Sequence, residues 1–455
     1  MTAARRRAFF AAPEQRPAAA GLLLGLFLVP ASLGITAVSV SMGEMSAGLG
    51  LTEAEAVWAL AGYVLAHAIS LAALGRLGDT HGVVSVLRIA LVLLVLGTVL
   101  TAAATSLVTL TAGRLVQGFG AGGVPVAVFA ITGLRFAGPT RVAVLATVTA
   151  MIGIVSGAGA LIGGTVTDLV SWRVAVSLPV LSVLSAPWIF RLAPPAAAGG
   201  QRVDVYGATL LTIWAAAFVL LLETPSISLP PALIAGLVVT VGVATVLLAR
   251  RVRLVPEGFL PRAVVGSRRY VLGALAAMTT YSVYVALLFA APLLLLQAHD
   301  WSATRVGLVL FPAAIVGAVS ARVVGRLVLR FDPFRVAAGL AATSVVGMLI
   351  TGVADGSPVL TTLGLAFVLT GFVASQGALL SHVPMSVASE VRSVATGIFQ
   401  LTALIGGAMG SAAVAGLSTP LGLSGAVAAL AVVPAAGILL ALLAGRAPVD
   451  RLDGS

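Results

Sequence analysis

Arg114 is the side chain whose setting most narrowly dictates what it can do. It lies in the run Gly113-Arg114-Leu115-Val116-Gln117-Gly118, within an apolar stretch covering about 107–134. A guanidinium stays charged, and in hydrocarbon it is costly unless paired or wet. Arg114 must therefore face the inside of a helical bundle, either in a working site or as a donor to neighbouring helix ends. His67 sits near the middle of another apolar stretch. An imidazole titrates near neutrality and can shuttle a proton, although a lone histidine can equally be hydrogen-bonded into packing. Glu44, Asp168 and Glu223 fall at the ends of such stretches. A carboxylate there is either a solvated cap or a replacement proton carrier.

Much other chemistry is excluded by composition. All 26 basic residues are arginine, so there is no Walker-A phosphate loop and no Schiff-base amine. Cysteine is absent, which removes thiolate nucleophiles, thiolate metal sites and disulfides. The sequence holds no H-E-x-x-H, no G-x-S-x-G and no pair of intramembrane acids spaced i, i+3 or i+4. His67, His81, His299 and His382 are scattered over both faces and the interior, so neither a metal nor a cofactor is expected. An enzyme is not expected.

The elements that must carry these residues are membrane spans. Of 455 residues, 60% are hydrophobic and 9% charged, against roughly 25% charged in soluble domains. Cutting the chain at charges, Pro and Gly clusters predicts fourteen transmembrane helices, from about 19–42 to about 421–445. Among them are spans at about 54–75, 142–167, 173–192, 205–223 and 392–417. Alternating these spans puts 23 arginines with eight acids on one face, and two arginines with seven acids on the other. That asymmetry predicts cytoplasmic termini in a cell (inner or plasma) membrane. The net charge of +11 is then a record of topology and not a nucleic-acid surface. The N-terminal Arg5-Arg6-Arg7 followed by an apolar run does not read as a signal peptide, because the run is too long and lacks a convincing cleavage site.

A Pro/Gly linker at 194–204 and a basic loop at 250–269 bracket one helical hairpin. The expected layout is 6+2+6: a six-helix bundle in 1–193, a linker, hairpin and loop in 194–269, and a second bundle in 270–455. Gly75-Arg76-Leu77 recurs as Gly325-Arg326-Leu327, and Gly163-Gly164 as Gly406-Gly407. Such recurrence points to parallel repeats with a substrate site between them.

Taken together, the run from Gly113 to Gly118, the loop GRLGDTHG (75–82) and GALIGG (159–164) followed by Trp172-Arg173 resemble the motifs of the major facilitator superfamily. The closest resemblance is to its fourteen-helix drug:proton antiporter branch. It implies an all-α polytopic membrane protein with the major-facilitator fold. Arg114, with Gln117 and Gly118, would serve proton coupling by lowering the pKa of a nearby carboxylate. Asp79, between Gly75 and Gly82, would latch a conformational state; Thr80, Val83 and Val84 replace the usual basic residues and weaken that latch. Gly159, Gly163 and Gly164 form the helix-packing motif associated with export, with Ala160 in place of its proline. Trp58, Tyr63, Gln297, Glu223 and Gln376 are pathway candidates, and Pro292 and Pro312 also fit the branch. One departure matters most. Where the branch carries an acid in the first span, this chain has Gly34, and Ser39 replaces the following Asn. Glu44 and His67 remain as substitute proton-coupling residues.

The resulting expectation is proton-coupled efflux of a small amphipathic or lipophilic compound by a monomer in the lipid bilayer, through alternating access. A proton-independent facilitator and a non-transporting scaffold with the same fold are the alternatives.

Overall fold

Inside a bilayer every backbone N–H and C=O must be paired within its own segment, and the long apolar runs of this chain all become helices. A computed structural model describes residues 17–51, 53–194, 204–222, 224, 229–299, 301, 303–328, 330–388 and 391–448. The helices are α1 (Pro17–Leu49), α2 (Glu53–His81), α3 (Val83–Ala102), α4 (Leu107–Arg135) and α5 (Gly138–Leu169). Then α6 (Trp172–Leu192) contains a 3-10 turn at Leu178–Leu181, where Pro179 interrupts regular pairing. A hairpin of α7 (Val205–Leu222) and α8 (Pro231–Leu254) follows, with one helical turn at Arg262–Val265. The last group is α9 (Arg268–Ala298), α10 (Ala303–Val328), α11 (Pro333–Gly352), α12 (Pro358–His382), α13 (Arg392–Ala429) and α14 (Val432–Arg446).

Ten segments among the described residues are long and apolar enough to cross a membrane, and shorter apolar helices lie at Gly138–Ile152, Tyr206–Leu222 and Thr304–Ser320. The chain is thus a multi-pass membrane protein. The expected break between the last two spans falls at Gly422, where two helices within the range of α13 meet at a residue with φ 70° and ψ 167°, a region essentially restricted to glycine. The fifth helix also runs past its expected ends on both sides, from Gly138 to Leu169.

The packing repeats. In the first group α1 packs on α5, α4 on α2 and α3, and α6 on α1 and α3. In the last group α9 packs on α13, α12 on α10 and α11, and α14 on α9 and α11. Each pairing recurs eight helices later. The contacts between groups obey the same exchange, α5 with α10 and α13 with α2. Such an arrangement follows from two parallel repeats related by an axis along the membrane normal.

The hairpin lies beside this pseudo-symmetric body, with α7 against α2 and α13. Asp204 holds its base together. It pairs with Arg251 of α8 at 2.8 Å, and its carboxylate accepts the amides of Gly207 and Phe259 at 3.0 and 3.1 Å. Burial pushes the Asp204 carboxyl up, but the bonds from Arg251, Gly207 and Phe259 outweigh burial and hold it below its ordinary value. Along α8, Val238, Val239, Val243 and Val246 are more than half exposed, the surface expected of a helix facing lipid.

Candidate functional site

Glycines bring α2, α3 and α4 together around Arg114. A Cβ at Gly118 would strike the backbone of Tyr63, and one at Gly97 the backbone of Gln117. With the helices this close, Arg114 is fully buried and spends its donors on three neighbours. Nε donates to the Ala59 carbonyl at 3.0 Å, Nη1 to Gln117 Oε1 at 2.6 Å and Nη2 to the Gly34 carbonyl at 2.5 Å. The Tyr63 ring lies over the guanidinium at 4.1 Å, a cation–π contact that offsets part of the desolvation. Gln117 continues outward, donating to Thr98 Oγ1 at 2.9 Å and the Val176 carbonyl at 3.0 Å. Arg114 therefore ties α1, α2 and α4, and through Gln117 α3 and α6. Among the described residues no carboxylate pairs with it; Asp204 and Arg251 form the ion pair found there.

Gly34 is more than a missing acid. A Cβ at this position would run into the Tyr63 ring, whose hydroxyl donates to the Ala31 carbonyl at 2.8 Å. The space of a side chain in the first span is thus taken by tyrosine from the second.

Between the two helix groups lies a cavity of about 830 Å³. Its walls come from α1, α2, α4, α5, α7, α9, α12 and α13, and most lining side chains are apolar. Polar ones are Ser32, Thr36, Thr149, Ser411, Ser418, Thr419, the tyrosines Tyr281 and Tyr284, and Gln297, Gln376 and Gln400; His67 is the histidine. Among the described residues no Asp, Glu or Arg lines it. Tyr281 meets Tyr284 and Phe372 edge-on at 5.7 and 5.1 Å, while Tyr284 and Phe372 stack at 4.0 Å. Gln376 donates to the Ala277 carbonyl at 3.2 Å, leaving its own carbonyl oxygen for the cavity. The lining reaches Met42, Gln297 and Gly422, all at the end with few arginines. Towards the arginine-rich end the groups meet in one buried cluster that includes Val144, Val148, Leu379, Val383 and Phe399.

The sequence candidates separate on this geometry. His67, Gln297 and Gln376 line the cavity. Trp58 and Tyr63, expected on the pathway, do not; Tyr63 is fully buried over Arg114. His67 Nδ1 is buried without a hydrogen-bond partner among the described residues. Glu44 is exposed on α1 and is absent from the lining. Asp168 is exposed and accepts from Thr304 Oγ1 of α10 at 3.3 Å. Glu223 and the side chain of Asp79 lie outside the described residues. Gly75 is buried on α2, and Gly82 breaks the chain between α2 and α3 at φ 79°. Gly159 and Gly163 pack α5 against Thr36 and Ala37 of α1. Gly164 is a correction to the packing motif, since a Cβ there would meet nothing within 4 Å. The aromatic wall went unremarked in the sequence, although Tyr281 and Tyr284 stand one helical turn apart on α9.

A two-group helical bundle with parallel repeats around a central cavity defines a membrane transporter. Residues 22–411 match the Major Facilitator Superfamily, and the chain belongs to that family. The uncharacterized MFS-type transporter Rv1877 of Mycobacterium tuberculosis is 27% identical over 396 residues, covering 84% of this chain and 56% of that protein. The chain thus spans little more than half the length of that relative. The putative multidrug resistance protein MdtD of Yersinia enterocolitica is 26% identical over 393 residues, 82% of each chain. The cephamycin export protein CmcT of Amycolatopsis lactamdurans is 35% identical over 187 residues, 38% of this chain and 37% of that one. The crystal structure of the human organic anion transporter MFSD10 (TETRAN) has a TM-score of 0.68 at 15% identity, covering 94% of this chain and 99% of that one. At such identity the likeness is one of fold.

Proposed function

We propose that this protein is a secondary active exporter of small neutral amphipathic or lipophilic compounds, working by alternating access in exchange for protons. The observation that carries the reading is a cavity of about 830 Å³ between the helix groups with no charged side chain in its lining among the described residues. An apolar wall with a few hydrogen-bonding groups accepts a compound with a large hydrophobic body and few polar atoms. It offers nothing to neutralise a strong cation. Export is supported by Gly159 and Gly163 packing α5 onto α1, and by the multidrug and antibiotic-export names of MdtD and CmcT.

We read the chain as a monomer in the cell membrane with fourteen crossings, grouped 1–193, 194–269 and 270–455, and with both termini and the arginine-rich loops cytoplasmic, a reading supported by the arginine asymmetry between alternate loops. The cavity then faces outward, and the cluster containing Val148 and Phe399 is the closed inner gate. Arg114, Gln117, Gly118 and Asp79 brace the first group during rocking.

Purified protein in liposomes, loaded with radiolabelled chloramphenicol as a neutral aromatic probe, tests the reading. An imposed pH gradient should accelerate probe movement several-fold over the same liposomes without a gradient. A second reading, proton-independent export, is favoured by the carbonyl partners of Arg114 and by Gly34. Probe movement that ignores the pH gradient would establish that second reading and overturn proton exchange.

A further inference from the structure

We propose that His67 takes up the exchanged proton, in place of the first-span carboxylate that this chain lacks. The assignment rests on the proton-exchange reading above and names the group that would carry it out.

His67 lines the cavity from the middle of α2. It is the lining side chain whose ordinary titration falls within about pH 5–8. Its Nδ1 has no hydrogen-bond partner among the described residues, so a proton can bind without breaking an existing bond. The backbone of α4 approaches it closely: a Cβ at Gly122 of α4 would strike the His67 carbonyl. Its ring lies 6.0 Å from that of Tyr63, which covers Arg114. A charge gained at His67 is therefore felt one ring away from the junction of α1, α2 and α4.

No other charge competes for this role at the same depth. The helices packed on α2 are α1, α3, α4, α7 and α13. Their charged residues, besides Arg114, are Glu44 on α1, Arg88 on α3, Arg135 on α4 and Arg392 at the start of α13, all near helix ends. On α2 itself Glu53 and Glu55 lie 14 and 12 residues from His67 in one direction, and Arg76, Asp79 and His81 lie 9, 12 and 14 residues away in the other. Those spacings are roughly 13 Å or more along a helix. Tyr281 and Tyr284 face the same cavity, but a phenol's ordinary value of about 10 lies above the ordinary histidine range. Protonation of His67 thus turns a cavity whose described lining carries no charge into a cationic one. A hydrated imidazolium and a neutral amphipathic compound cannot share that space, and mutual exclusion of proton and substrate is what exchange requires.

The absence of cysteine makes the test direct. Ala47→Cys on α1 and Leu421→Cys on α13 place two spin labels at exposed positions near the cavity mouth, one on each helix group. Their distance distribution is measured in the full-length protein in lipid nanodiscs, without substrate, at about pH 5 and about pH 8. The expected result is a clear shift between the two pH values that disappears in His67→Gln and in His67→Asn. It should survive in His81→Gln, which alters an exposed histidine. A shift that persists in both His67 variants overturns the assignment while leaving proton exchange in place. No shift in the parent pair overturns both the assignment and a proton-linked conformational change. Gel-filtration monodispersity of each variant separates loss of response from loss of fold.

Discussion

At the scale of single residues, the buried cation is held by geometry instead of by an opposite charge. Arg114 reaches two backbone carbonyls and Gln117, so truncation leaves several buried acceptors unsatisfied at about 1–3 kcal/mol each. Arg114→Ala should lower the unfolding temperature in detergent and abolish probe export. Arg114→Lys, which keeps the charge but not the fork, should fall between the two in thermal stability. Gly34 gives a second prediction. Gly34→Asp restores an acid where the resemblance expects one, yet its Cβ meets the Tyr63 ring. Folded yield should drop for Gly34→Asp and recover in Gly34→Asp/Tyr63→Ala, read by fluorescence-detected gel filtration. Equal yields for the two would show that the ring is not the obstacle. The sequence made the interior placement of Arg114 legible, because only an interior tolerates it. It did not reveal that a tyrosine 29 positions downstream fills the place of the lost acid, since helix register between α1 and α2 decides that contact.

At the scale of elements, the hairpin base and the α13 kink are set by one residue each. Asp204 joins the start of α7 to Arg251 of α8 and to the loop at Phe259. Its carboxyl lies below its ordinary value in the folded protein. The stabilisation it provides is therefore full above the unfolded-state value and is lost as pH falls through the folded-state value. Proteolytic cleavage in the exposed loop after Leu254 should accelerate on acidification in the parent protein. In Asp204→Asn cleavage should be faster at neutral pH and less dependent on pH. If both cleave alike at neutral pH, Asp204 does not secure the loop. The helical runs were legible from hydropathy alone. The break near Gly422 was legible too, because Pro420 and Gly422 are ordinary loop signals and Gly422 takes a non-helical conformation there.

At the scale of the whole molecule, selectivity follows from what the cavity wall lacks. Gln376 on α12 lines it, and its Nε2 is held by the Ala277 carbonyl. Gln376→Glu places a carboxylate in a wall whose described residues carry no charge. Growth-inhibition panels in an efflux-deficient host should then show about tenfold or greater loss of protection against neutral compounds, with a relative gain for lipophilic cations. An unchanged panel would mean that substrates pass elsewhere. The inserted hairpin belongs to the same argument, since Val219 of α7 completes the wall beside α2 and α13.

By itself the sequence determined that this chain is a helical multi-pass membrane protein and that Arg114 has to be sheltered. Those conclusions need only transfer energies and backbone pairing, which act on each segment separately. The tertiary structure decided which polar groups meet. Gly34 opposite Tyr63, His67 without a partner at Nδ1 among the described residues, and an aromatic wall built from Tyr281, Tyr284 and Phe372 all depend on the register between helices far apart in the chain. Hydropathy is blind to that register, because lipid rewards every apolar face alike while close packing of small residues selects one arrangement.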